Sequence, residues 1–311
     1  MPELGVAADY EHRIRIGKKT DWDTDPAANA YQPYAVNADS LIREIEEREA
    51  QVMHGQISMR DEDRRQGKKG ASGSFTAYLR PDNWSKLLEL AFGKLNGGNP
   101  VLDQPTELQL FNVEIDKVGD IYRAVNCRSS RFTVRSAQDD GHLTLQQEVL
   151  GQDMIDNVNL TATSATLPVA PIVQHYESAL AINGTVVEPI SFEISVDHVL
   201  DGNIYRNSQT RRAMKRGRRR VTGTFELDNN ATTKAILATW HNNQPFGWQI
   251  VYTNGSDVLT FQSHTPASAG ARLLGDVPDF QAGNGTNNVR LPFKGVSTNA
   301  GDDELLCTIA T

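Results

Sequence analysis

A shift of 150 residues lays one stretch of this chain on another without a gap. Residues 65–75 read RQGKKGASGSF and residues 215–225 read KRGRRRVTGTF. Both follow one pattern: basic, any, Gly, basic, basic, any, small or branched, hydroxyl, Gly, hydroxyl, Phe. Self-similarity at a fixed offset marks a repeated structural unit, and it constrains the architecture more than any single motif.

The flanks agree in type and order. Phe75, Ala77 and Leu79 alternate, as do Phe225 and Leu227, and a period of two marks a half-buried strand. A short helix signal follows each. The first has Asp82-Asn83 as cap, then Trp84, Leu87, Leu88 and Ala91, with Gly93 to stop it; the second has Asn230, then Ala231, Ala235, Ile236 and Trp240. This is helical spacing bounded by cap and stop residues. Hairpins come next, around Lys117-Val118-Gly119-Asp120 and Asn254-Gly255-Ser256-Asp257. Asn-Gly between alternating runs is a strong hairpin signal. Later strands are predicted through Leu143, Leu145 and Val149, and through Val289, Leu291 and Phe293. Pro292 has no N–H, so that strand is expected at an edge or with its proline facing outward. A long loop is expected over residues 262–288.

Before the second basic segment, Ile190, Phe192, Ile194 and Val196 alternate as a strand. Before the first, residues 41–52 (LIREIEEREAQV) are helical by composition, while their place in the repeat calls for strand in at least part of them. The join lies near residues 164–175, punctuated by Pro168 and Pro171. The expected fold is mainly β: two tandem barrel or sandwich domains, each with a short flanking helix. An N-terminal arm takes residues 1–34, the first domain 35–178 and the second 179–311.

Composition narrows the function. No apolar run approaches the roughly 20 residues of a membrane helix. The start, MPELGVAADYEHRIRIGKK, has no apolar core of a signal peptide, which points to a cytoplasmic origin. Cys127 and Cys307 cannot build a disulfide scaffold or a four-thiolate zinc site. The net charge of −8 argues against a general nucleic-acid binder. Of twelve Lys or Arg after residue 150, seven fall within residues 211–220 (RRAMKRGRRR). Such a segment is either a solvated loop or a contact for an acidic surface. Its counterpart at residues 64–69 assigns it to the repeat, which favours assembly over a DNA or RNA arm.

Catalytic and ligand motifs fail one by one. Asp21-Trp22-Asp23-Thr24-Asp25 opens like a calcium loop, but Pro26 stands where Gly is required and Gln32 where a bidentate Glu is needed; Asx turns are expected instead. Gly67-Lys68-Lys69-Gly70 lacks P-loop spacing. Ser72 and Ser74 sit in strand-like sequence and suit sheet hydrogen bonding. The seven His residues do not pair at ligand spacing, and no carboxylate pair is singled out for glycosidase chemistry. Cys127 reads as a small core residue. Trp84 and Trp240 read as plugs between helix and sheet rather than base-stacking platforms. No enzyme, cofactor or metal is expected.

The stretch GSFTAYLRPDNWSKLLELAFG at 73–93, and VTGTFELDN at 221–229 with ISFEISVD before it, resemble the phage tail tube family. The resemblance spans roughly residues 35–311. It implies subunits that close into a ring with a continuous β-barrel inner wall, rings that stack into a hollow virion tail conduit, and passage of DNA without specific binding. With two domains per chain, a trimer would supply pseudo-sixfold symmetry; a hexamer is the alternative. The implied partners are further copies of the chain, a tape-measure protein, a tail terminator and a distal tail ring. The resemblance assigns the ring-stacking or inter-subunit loops to Arg64, Arg65, Lys68, Lys69, Arg211, Arg212, Lys215, Arg216, Arg218, Arg219 and Arg220, with Gly73 and Gly223 as structural glycines. The other readings are a single-ring tail-tip, baseplate or secretion-tube protein of the same fold, and a soluble β-rich nucleic-acid or carbohydrate-binding module.

Overall fold

The computed structural model describes residues 12–27, 30–49, 64–102, 108–117, 120–156, 161, 166–241, 244–266, 269–274, 279–283, 286–297 and 304–310. Residues 1–11 of the expected arm, 50–63 before the first basic segment, and the turn residues Val118 and Gly119 lie outside that set. The first half carries β1 (His12–Lys19), β2 (Tyr31–Asp39), β3 (Ile42–Glu49), β4 (Arg64–Tyr78), α1 (Trp84–Phe92), β5 (Leu95–Asn96), β6 (Asn99–Pro100), β7 (Leu110–Lys117), β8 (Asp120–Ala137), β9 (Thr144–Gly151) and β10 (Asp153–Asp156). The second carries β11 (Ser178–Ile182), β12 (Thr185–Val187), β13 (Pro189–Asp197), β14 (Leu200–Ile204), β15 (Ala213–Arg216), β16 (Arg220–Asp228), α2 (Ala231–His241), β17 (Trp248–Asn254), β18 (Asp257–Gln262), β19 (Ala271–Leu273), β20 (Asp279–Gly283), β21 (Thr286–Gly295) and β22 (Leu306–Ala310).

The chain is mainly β, as its alternation predicts. The ambiguous segment at 41–52 resolves as strand β3 over its described part. Its Glu and Arg residues favour a helix in isolation, but tertiary pairing overrides propensity. The acidic strand lies antiparallel to the basic half of β4, with Glu49 opposite Arg64 and Glu47 opposite Gln66. Arg43 adds ion pairs to Asp153 at 3.4 Å and Asp156 at 3.1 Å.

Helix α1 ends as expected: Gly93 adopts φ +104° and its N–H reaches Glu89 O at 2.7 Å. Its expected cap is different. Asn83 makes no capping bond; its Oδ1 accepts from Arg80 N–H at 2.9 Å and its Nδ2 donates to Tyr78 O at 3.1 Å. Asp82 instead accepts the N–H groups of Val169 and Ala170, tying down the linker. In α2 the cap holds, with Asn230 Oδ1 accepting from Thr233 N–H at 3.0 Å. The hairpin at 254–257 turns through Gly255 at φ +64°, pairing Asn254 with Asp257.

Strand β8 is shared between partners. Its first part pairs with β7 and its second with β9, with register breaks at Phe111/Val113 and Ser129/Arg131. Such bulged strands make the corners of sandwiches. The circuit continues through β9 to β4, β2, β1 and back to β7. The second half packs the five-stranded sheet β12-β11-β17-β18-β22 against β13, β16 and β21 through an aromatic cluster. Phe225 stacks on Phe293 at 4.7 Å, and Trp248 meets Phe192, Phe225 and Phe293 at 5.9, 5.6 and 5.3 Å. Buried aromatic pairs contribute about 1 kcal/mol each beyond their area.

One ladder crosses between the halves. The second part of β8 pairs with β13 from Arg131↔Asp197 to Ala137↔Ser191. A single sheet therefore runs β3-β4-β9-β8-β13-β16-β21, with β19 and β20 both pairing the far side of β21. One expectation changes here: strands β19 and β20 interrupt the predicted long loop. Strand β21 is not an edge, and the other alternative for Pro292 holds, since it is half-exposed between buried Leu291 and Phe293. Pro292 is accommodated because β19 covers 293–295 and β20 covers 286–290. The gap lies between them, where Pro292 O still accepts Leu274 N–H at 2.8 Å.

Candidate assembly surfaces

The two basic segments have different local structures. The first is strand: Arg64, Arg65, Lys68 and Lys69 all belong to β4, not to a loop. The cause is β3, whose antiparallel backbone ladder holds this stretch extended. The side chains of Arg64 and Arg65 lie outside the described set. Lys68 lies 4.8 Å above the ring of Tyr205. The second segment is the end of the hairpin β14–β15 and the loop after it: Lys215 and Arg216 lie in β15, residues 217–219 are irregular, and Arg220 opens β16.

That second loop lies across the first half of the same chain. Lys69 N–H donates to Gln209 O at 2.6 Å, and Gln209 Nε2 donates to Gln66 O at 3.2 Å. Arg211 anchors the crossing and is buried. Its Nη1 donates to Ala71 O at 2.9 Å and Gly151 O at 2.6 Å, its Nε to Gly202 O at 3.1 Å, and its Nη2 pairs with Glu44. Gly70 leaves room for the guanidinium; a Cβ there would overlap it. Arg219 is buried as well, donating to Leu102 O at 2.7 Å and pairing with Glu304.

Seven basic residues so close in sequence thus divide by direction. Arg211 and Arg219 face inward and hold the halves together, while Arg212, Lys215, Arg218 and Arg220 are exposed and Arg216 is half-buried. Nothing in composition separates the two groups. The nearest sequence signal is the pair of glycines that admits Arg211: Gly70 and Gly202.

The sheet presents two unlike faces where the halves meet. Phe132, Val134, Ile194, Val196 and Phe225 occupy the core side. The opposite side is a polar trough of about 480 Å³, lined by residues including Thr76, Arg131, Thr133, Gln146, Glu148 and Glu193. Arg131 donates to Ser195 Oγ at 2.8 Å, and Arg135 pairs with Asp140 at 3.2 Å. Charge of both signs sits among hydroxyl and amide groups on this face.

The glycines of the repeat are sterically constrained. Gly73 has φ +143°, and a Cβ there would strike Ser40 O. A Cβ on Gly223 would enter the Phe293 ring and stand 2.7 Å from Glu193 O.

Other polar residues serve the fold. Ser72 hydrogen-bonds Glu44 at 2.5 Å and Ser74 meets Ser40 at 3.1 Å. Asp21 Oδ1 accepts from Asp23 and Thr24 N–H, making the Asx turn expected of that segment, and the Thr24 N–H in particular holds its carboxyl below the usual range. Burial pushes Cys127 up to about 12, leaving an inert thiol. Among the described residues, no group of three or more His, Cys, Asp and Glu could hold a metal.

Sequence reasoning did not find one buried chain of hydrogen bonds. Tyr252 Oη lies 2.6 Å from Ser136 Oγ, which lies 3.0 Å from His175 Nδ1, and His175 Nε2 donates to Pro189 O at 2.9 Å. The carbonyl can only accept, so Nε2 carries a proton. A Ser–His contact at this distance resembles a nucleophile and base, but both residues are buried, and they tie β8, the linker and β17 together.

No curated protein matches the chain. The sequence profile described as phage tail tube protein matches residues 10–295. That match spans both basic segments, both helices and the whole ladder across the halves, so the chain belongs to the phage tail tube protein family.

Proposed function

We propose that this chain is the building block of the tail tube: copies close into a ring, rings stack into a hollow conduit, and DNA passes through it from virion to host. The observation that carries this reading is the single sheet that crosses both halves and whose end strands, among the described residues, pair on one side only. Unpaired edges are hazards in a monomer, and ring closure is a way to remove them. Two similar units per chain suit a trimer with pseudo-sixfold symmetry. The polar sheet face is the natural lumen wall, because mixed charge and hydroxyl groups give a phosphate backbone no continuous basic track. The exposed cations of the second loop are suited to dock on acidic surface of the next ring, setting register more than affinity. A tape-measure protein, a terminator and a distal ring are the partners such a tube requires. The chain is made in the host cytoplasm and acts in the virion, without catalysis.

Electron microscopy of the purified protein tests this. Hollow rings or tubes with three- or sixfold end views are expected. Monomers that bind free DNA with steep salt dependence would replace it with a nucleic-acid module. Single rings that never stack would favour a tail-tip component.

A further inference from the structure

We infer that Lys19 and Asn112 are placed to join through an isopeptide bond, an amide between two side chains, with Asp25 as the base and acid of that single step. The inference is independent of the ring reading and needs no partner.

The site is built on β1 and β7, which pair antiparallel with Gly17 opposite Asn112 and Lys19 opposite Leu110. Lys19 is two residues from Gly17, so its side chain leaves β1 on the face that Asn112 shares. Gly17 lets Tyr31 close over that face; a Cβ there would stand 2.7 Å from the Tyr31 ring. Lys19 is 4% exposed, and Asn112 and Tyr31 are 0% and 1% exposed. Lysine is almost never buried to this degree without a specific partner.

One oxygen holds both reacting nitrogens. Lys19 Nζ donates to Asp25 Oδ1 at 3.4 Å and to Trp22 O at 3.2 Å. Asn112 Nδ2 donates to the same Asp25 Oδ1 at 3.1 Å and lies 3.4 Å from Tyr31 Oη. The other end of the amide is fixed as well, since Asn112 Oδ1 accepts Asn126 N–H at 3.0 Å. A backbone donor there meets the negative charge that develops when a carbonyl is attacked. Nucleophile, base and oxyanion donor thus converge on one buried amide, and holding them together replaces a high concentration of free amine.

The step balances without a further reactant. Asp25 takes a proton from the Lys19 ammonium, and the freed lone pair attacks Asn112 Cγ. The new C–N bond forms as the carbonyl electron pair moves to Oδ1. Asp25 returns the proton to Nδ2, the carbonyl re-forms, and the Cγ–Nδ2 bond breaks. The new amide nitrogen gives up its second proton to the departing ammonia, which leaves as ammonium. The Asp25 side chain is 64% exposed, which gives that ion a way out. The product ties β1 to β7 and removes chain entropy from the unfolded state, as covalent loop closure does.

The test is the intact mass of the folded full chain after prolonged incubation near neutral pH. It should be lighter than its sequence requires by one ammonia, and digestion should yield a branched peptide joining Lys19 to Asn112. Lys19→Arg should keep its full mass. Asp25→Asn should lose ammonia about a hundredfold more slowly. The unsubstituted chain decides the bond by itself, whether or not the variants fold. A full sequence mass, or an ammonia lost from another place in the chain, overturns the bond and leaves Lys19 and Asp25 as an ion pair. Loss from Asp25→Asn at the unsubstituted rate overturns the role of Asp25.

Discussion

His198 Nε2 lies 2.8 Å from the main-chain oxygen of Ala91, joining the end of β13 to helix α1. The carbonyl can only accept, so Nε2 carries a proton. Burial disfavours the imidazolium and pushes its pKa down to about 3, against a partial upward pull from the Ala91 bond. An unfolded histidine titrates near 6.5. Between those values the unfolded chain binds a proton that the folded chain does not, so stability falls as pH drops below about 6.5. The expected slope from this residue is about 1.4 kcal/mol per pH unit. Denaturation midpoints at pH 7, 6 and 5 should fall more steeply for the unmodified protein than for His198→Gln. Parallel curves would show that another group sets the slope.

Arg211 and Arg212 are adjacent and should behave differently. Arg211→Ala removes donors from the carbonyls of Ala71 and Gly151 and takes the Arg211 cation from Glu44, which keeps its bond from Ser72 Oγ. Glu44 is 40% exposed in its side chain, so solvent offsets part of the loss. A cost of about 2–3 kcal/mol is expected, with faster proteolysis within residues 200–216. Arg212→Ala, on the exposed side, should stay within about 0.5 kcal/mol. Urea unfolding of the two variants separates an internal anchor from a surface charge.

Val199 has φ +48°, a conformation that costs a β-branched residue of order 1–3 kcal/mol. Its side chain is 40% exposed, so little burial is lost on truncation. Val199→Gly should therefore raise stability by about 1 kcal/mol, the relief of strain outweighing the added freedom of the unfolded chain. A thermal midpoint that falls would mean that packing of Val199 beside Gly217 outweighs its backbone strain.

These effects separate what the sequence revealed from what it hid. Strand β13, the 254–257 hairpin and the end of α1 were readable because periodicity and turn chemistry are local. Strand β3 was ambiguous because its Glu and Arg residues pair with β4 only after the chain folds back. Strands β19 and β20 were hidden in Gly-rich sequence, where pairing to β21 rather than composition defines them. The burial of Arg211 and Arg219 was invisible because most of the carbonyls and carboxylates that hold them are 60 or more residues away. The repeat did suggest where the assembly surfaces would lie, but not which cations turn inward.

That division changes the design of a charge-reversal experiment. Reversing Arg216, Arg218 and Arg219 together is the obvious choice from sequence, yet Arg219 bonds Leu102 O and Glu304 inside the fold. Arg219→Glu alone should place a carboxylate beside Glu304 and leave Leu102 O without its donor, costing about 3 kcal/mol or more. Arg212→Glu, Lys215→Glu, Arg218→Glu and Arg220→Glu instead alter only exposed groups. Together they should leave the melting temperature within a few degrees while blocking the stacking of rings. Scanning calorimetry checks the first half of this expectation, and tube lengths in micrographs check the second. Tubes of normal length from the fourfold variant would remove the loop from ring stacking. Rings that remain single, with an unchanged melt, would assign it that role and show that its inward and outward arginines serve separate ends.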